Sequence, residues 1–173
     1  MPVELEKFWG SSDNKILLEQ TFIKWICDTY KGEKPVYLGG ANKENIATCL
    51  KIMLGNSEEC PLLKCYHEEA DDRLLFHMNH IISTEHFKKV IVASPDTDVF
   101  VNAIYHFGRW KFLDLKELWI ISSKRRGSKQ IIPVHEIAEH LDDDIIEVLP
   151  GLHALTGIMT IILNERFSNR LLA

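Results

Sequence analysis

The sequence predicts an α/β fold with a mainly parallel central sheet flanked by helices on both faces. Three observations predict it. Lys89-Val90-Ile91-Val92-Ala93 and Leu118-Trp119-Ile120-Ile121 are short apolar runs rich in β-branched residues, the pattern of strands in a buried parallel sheet. Segments with apolar residues at helical spacing alternate with such runs, as strand–helix–strand units require. With 173 residues, 46% of them hydrophobic, the chain can bury one ample core, so a single domain spanning 1–173 is expected.

The elements follow in order. Ser11-Ser12-Asp13 offers N-caps to a helix from Asn14 to Lys31, in which Ile16, Leu17, Phe22, Ile23, Ile26 and Cys27 form an apolar stripe closed by Gly32. Pro35 to Leu38 reads as a strand ending in a tight turn at Gly39-Gly40. Lys43 to Leu54 reads as a helix closed by Gly55, and Leu62 to Tyr66 as a further strand. Ala70 to Ile82 is amphipathic, with Leu74, Leu75, Met78, Ile81 and Ile82 at helical spacing. After the strand ending at Ala93, a helix runs from about Thr97 to Phe107 and stops at Gly108. Beyond Ile121 come a polar basic loop, Lys124 to Lys129, a helix near His135 to Leu141, and a last helix from Leu155 or later towards Phe167.

Composition narrows the function classes. A net charge of −5 argues against a nucleic-acid binder that works through global charge, while a local basic stripe can still hold a phosphate backbone. Met1 to Lys7 has neither a basic n-region nor an apolar h-region, and no later run approaches a membrane span. An intracellular protein, nuclear or cytoplasmic, with no membrane partner is expected. Cys27, Cys49, Cys60 and Cys65 contain no Cys-x-x-Cys pair, which favours reduced thiols over a disulfide framework. Cys60 and Cys65 with His67 make at most half a zinc site, because no second Cys/His pair accompanies them.

Two acidic clusters carry the chemistry. Ser94-Pro95-Asp96-Thr97-Asp98 follows a strand, placing its aspartates at the carboxyl edge where open α/β sheets bind ligands. His67-Glu68-Glu69-Ala70-Asp71 opens the amphipathic helix, with Glu68, Glu69, Asp71 and Asp72 in its first turn. Each cluster alone has a structural explanation in the helix macrodipole or an N-cap. Together they form a set of hard oxygen ligands suited to Mg²⁺ or Mn²⁺. Capping accounts for Asp96 but leaves Asp98 without a reason of its own.

Three motifs in order, His67-Glu68-Glu69-Ala70-Asp71, Ser94-Pro95-Asp96-Thr97-Asp98-Val99 and Leu149-Pro150-Gly151-Leu152-His153-Ala154-Leu155-Thr156-Gly157, resemble a branch of the PIN-like, flap-endonuclease-like nuclease superfamily found in transposon-associated and other eukaryotic proteins. Ile132 to Ala138 also resembles that branch, and the likeness covers roughly Asn14 to Thr160. It implies a Rossmann-like three-layer fold and a Mg²⁺- or Mn²⁺-dependent phosphodiester hydrolase acting on DNA or RNA. It implies Glu69, Asp96 and Asp98 as catalytic carboxylates, with Glu68 and Asp71 as further metal ligands. The chain departs from the pattern in two places. Ile158-Met159 stands where the branch has Cys-Asp, and the early strand Val36 to Leu38 carries no counterpart of an upstream metal-binding aspartate. The segment bearing that aspartate is expected to be missing.

Lys124, Arg125, Arg126 and Lys129 are candidate phosphate contacts, the alternative being a solvated turn. His153 reads as satisfying local backbone groups, and Trp110 and Trp119 as core or partner-contact residues rather than base-stacking platforms. Against the nuclease reading stands a catalytically inactive interaction module, with protein or nucleic acid as partner, that keeps the fold without the chemistry. A weaker alternative is a phosphatase using Asp96-Thr97-Asp98-Val99, which lies mid-chain rather than after the first strand.

Overall fold

The computed structural model describes residues 7–41, 47–65, 70–123 and 129–156. Its fold is α/β, with two small sheets flanked by helices. Contacts divide the chain into two compact units, Met1–Arg73 and Leu74–Ala173. Among the described residues no helix is long and apolar enough to cross a membrane.

In the first unit, helix α1 (Ser12–Thr29) starts where Ser11 Oγ accepts the Asn14 N–H at 3.4 Å. Three strands follow, β1 (Val36–Ala41), β2 (Ala47–Met53) and β3 (Asn56–Glu59), paired antiparallel in the order β1-β2-β3. Gly39-Gly40 is thus strand, not the expected turn. Helix α1 lies so close to β1 that a Cβ on Gly40 would stand 2.8 Å from Ile23 Cδ1 and 2.8 Å from Glu19 Oε1. The helix expected over Lys43 to Leu54 is replaced by β2 where the structure is described. Its alternating Leu50 and Ile52 pair with a strand on each side, and the supposed helix stop at Gly55 is the second residue of a hairpin turn. The strand expected at Leu62 to Tyr66 is instead a 3₁₀ turn over Pro61–Leu63, since Pro61 has no N–H for a ladder and suits a helical first position.

The second unit is built on β4 (Lys89–Ala93), β5 (Glu117–Ser123) and β6 (Lys129–Pro133), in that spatial order. Mainly parallel pairing is not shown. Of the described strand pairs only β4–β5 is parallel, while β5–β6 and both pairs of the first unit are antiparallel. The reason is connection length: residues 124–128 separate β5 from β6, fewer than the dozen or so that a parallel crossover needs. Nor is β4 buried on both faces. Val90 and Val92 are covered, whereas Lys89, Ile91 and Ala93 are exposed.

Helix α2 (Ala70–Glu85) straddles the boundary, with its body in the second unit. Helix α3 (Thr97–Phe112) runs through the expected stop at Gly108, because Trp110 beyond it is buried in the core, and it is the centre of that core, burying Val99, Phe100, Ala103, Ile104, Phe107 and Trp110 against Leu118, Ile120 and Val134. Helices α4 (Val134–His140) and α5 (Asp143–Thr156) both pack on α3. A further difference from expectation lies in α5: the last helix, expected from Leu155 or later towards Phe167, starts at Asp143 and runs through Pro150-Gly151 to Thr156, and residues 157–173 lie outside the described ones. Pro150 cannot donate to the Ile146 carbonyl, yet Leu149 is buried and Ile146 packs on the core, so tertiary contact outweighs the local penalty.

Candidate metal centre

Asp96 is the N-cap of α3, and its Oδ1 accepts the Asp98 N–H at 3.0 Å. Ser94 Oγ accepts the Asp96 N–H at 3.1 Å, and Ser94 N–H donates to the Ile121 carbonyl at 3.2 Å, extending the β4–β5 ladder by one residue. These bonds fix the turn that carries both aspartates past the carboxyl end of β4. Asp71, half-buried, lies in the first turn of α2, where the macrodipole favours an acid. A carboxylate oxygen of Asp96 lies within 4.8 Å of one of Asp98, both in the second unit, while Asp71 belongs to the first. Two neighbouring carboxylates repel each other without a counterion, and their hard oxygens are donors of the kind that Mg²⁺ or Mn²⁺ accepts. The donor chemistry therefore fits a divalent cation.

Asp98 has a second partner. His153 of α5 lies with Nε2 2.6 Å from Asp98 Oδ1. An ionised carboxylate can only accept, so Nε2 carries the hydrogen and donates it. His153 is largely buried, 12% of its side chain remaining exposed, and its Nδ1 is shielded with no hydrogen-bond partner. The expectation that His153 satisfies local backbone groups is corrected here: it reaches a carboxylate fifty-five positions away in the chain. Its place in the third motif, the same ordered set as Asp98, was the available signal. It also gives Asp98 the role that capping alone did not.

Glu68 and Glu69 lie outside the described residues, as do His67, Lys124, Arg125, Arg126 and Met159. Lys129, the one described member of the basic loop, opens β6 with its side chain exposed. Trp110 is a core residue whose Nε1 donates to Asn79 Oδ1 at 3.3 Å. Trp119 is half-buried, its Nε1 donating to Glu117 Oε2 at 2.8 Å while Lys89 Nζ sits 5.5 Å from its ring centre. Of the residues of the half zinc site, Cys60 and Cys65 are free thiols and His67 lies outside the described residues.

Comparison with protein-family models, with curated proteins and with solved structures yields no match to this chain.

Proposed function

We propose that the chain is a divalent-metal-dependent, nuclease-like domain of PIN-like three-layer type, acting on DNA or RNA phosphodiesters with a partly eroded acidic centre. The observation that carries this reading is the approach of Asp96 and Asp98 within 4.8 Å at the start of α3, and Asp71 is proposed as a further ligand. A bound Mg²⁺ or Mn²⁺ would polarise a phosphate oxygen and lower the pKa of a water. Asp96 is pinned by its capping bond and Asp98 by His153, so two ligands are held before any cation arrives. Glu68 and Glu69, just ahead of Asp71 in sequence, are the proposed further ligands, and Lys129 with Lys124, Arg125 and Arg126 would meet the backbone phosphates.

The test is the melting temperature of the full chain with and without Mn²⁺, alongside cleavage of single-stranded and branched DNA and RNA. Mn²⁺ should raise the melting temperature, and Asp96→Asn or Asp98→Asn should abolish the rise. A native melting curve indifferent to Mn²⁺ and Mg²⁺ would defeat the metal reading.

The second reading, an inactive interaction module, is favoured by Ile158-Met159 where the resembling branch carries Cys-Asp. Metal-dependent stabilisation without cleavage of any of these substrates would select it.

A further inference from the structure

In the first unit, two cysteines face each other across the β2–β3 hairpin. The register pairs Met53 with Asn56, Ile52 with Ser57, Lys51 with Glu58 and Leu50 with Glu59. One step further, Cys60 N–H donates to the Cys49 carbonyl at 2.8 Å, so Cys49 and Cys60 are the next opposed pair. Directly opposed residues in an antiparallel ladder put their side chains on the same face, with Cα atoms about 5.5 Å apart at a hydrogen-bonded position. That separation lies inside the range of about 4.4–6.8 Å that a disulfide spans. Both thiols are free, Cys49 buried and Cys60 half-buried.

We propose that Cys49 and Cys60 are a reversible redox pair that closes to an intramolecular disulfide on exposure to a hydroperoxide, clipping the edge strand β3 to β2. The two sulfurs are unequal, and this sets the order of events. Burial, and then the neighbouring Cys60, push the Cys49 thiol up to about 11, so Cys49 is the poorer first nucleophile. Cys60, the more accessible, attacks the peroxide as thiolate; the O–O bond breaks, hydroxide leaves, and Cys60 becomes a sulfenic acid. The Cys49 sulfur then attacks the Cys60 sulfur, the S–O bond breaks, and the departing hydroxide takes the Cys49 proton as water. In sum two thiols and one hydrogen peroxide give one disulfide and two waters. A thiol reductant reverses the change by exchange.

The clip has a structural effect. Every residue of β3 is exposed, and among the described residues β3 pairs on one side only, so a covalent tie at its end restrains a strand open to fraying.

The experiment uses the full chain, reduced, exposed to hydrogen peroxide, alkylated and digested with trypsin. Cleavage after Lys43, Lys51 and Lys64 puts Cys49 in peptide 44–51 and Cys60 in peptide 52–64. The expected product is these two peptides joined, lighter by two hydrogens than their sum, and separated by dithiothreitol. Its formation should raise the melting temperature. Cys60→Ser should lose both the linked peptide and the rise, while Cys27→Ser should keep both. Peptide 52–64 joined instead to 65–73, which carries Cys65, would overturn the proposal. So would alkylation of both Cys49 and Cys60 after peroxide has oxidised the other thiols. Both readouts are taken on the native protein, so the result does not depend on a variant that folds.

Discussion

At the scale of single residues, the carboxylates near α3 show how one side chain serves structure and ligand at once. Asp96 Oδ1 closes the cap and leaves a second oxygen, while Asp98 Oδ1 receives His153. Removing a partner that orients a ligating carboxylate typically weakens metal binding by roughly 10- to 100-fold. His153→Ala should therefore weaken Mn²⁺ binding by about that factor in a calorimetric titration, with His153→Gln recovering part of it through its own N–H donor. Equal affinity in all three proteins would leave His153 a packing residue. Met159→Asp, at the position where the branch has its last acid, should tighten Mn²⁺ binding and raise any cleavage. Away from this centre, His106 is half-buried between Tyr105 and Trp110, and burial, then Arg109, lower its pKa. With the folded value below the ordinary 6.5, the unfolded chain binds the extra proton first as pH falls. Stability is then intact above about pH 6.5 and declines below it. The melting temperature of the native chain should fall between pH 7 and pH 5.5 more than that of His106→Gln, a window above the carboxylate range. Parallel slopes for the two proteins would remove His106 as the cause.

At the scale of elements, the sequence was legible where one periodicity ran without competition. Helices α2 and α3 and the β4 and β5 runs follow their apolar spacing, and the acids of the second motif fall in the turn after β4. It misled where a glycine or proline had two meanings. Gly55 ends a helix or completes a hairpin with equal local logic; the pairing of β2 on both edges decides, and nothing local encodes that. Pro150-Gly151 looks like an interruption until the apolar face of α5 is seen against α3. His153 was undervalued for the same reason, since its partner lies in another element. The hairpin turn offers a test at this scale. Leu54 and Gly55 both have positive φ, 53° and 78°, the two-residue turn that prefers Asn-Gly. Leu54 is 58% exposed and so gives up little burial, while its left-handed backbone costs roughly 1 kcal/mol. Leu54→Asn should raise stability by up to about 1 kcal/mol in urea unfolding, and Gly55→Ala should lower it. A destabilised Leu54→Asn would mean that the leucine side chain contributes more than its exposure indicates.

At the scale of the whole molecule, burial is unequally distributed. The second unit holds one continuous core from Met78 to Leu149, centred on Val99, Ile104, Phe107, Trp110, Leu118 and Ile120. Among the described residues of the first unit the buried hydrophobic ones are Cys49, Ile52, Leu63 and Cys65, and α1 buries none while leaving Leu17, Phe22 and Trp25 more than half exposed. Local opening requires the least free energy where few apolar contacts are lost. Amide hydrogen exchange followed by mass spectrometry should therefore find α1 and β1 to β3 exchanging well before α3, β4 and β5. The contrast should also appear in mutants. Ile104→Ala should cost about 2–5 kcal/mol, the usual range for emptying a closed core site, and should accelerate exchange across α3, β4 and β5 together. Phe22→Ala should leave those second-unit amides unchanged. Uniform protection across both units would contradict the argument from burial, and would mean that the exposed apolar face of α1 is covered in solution.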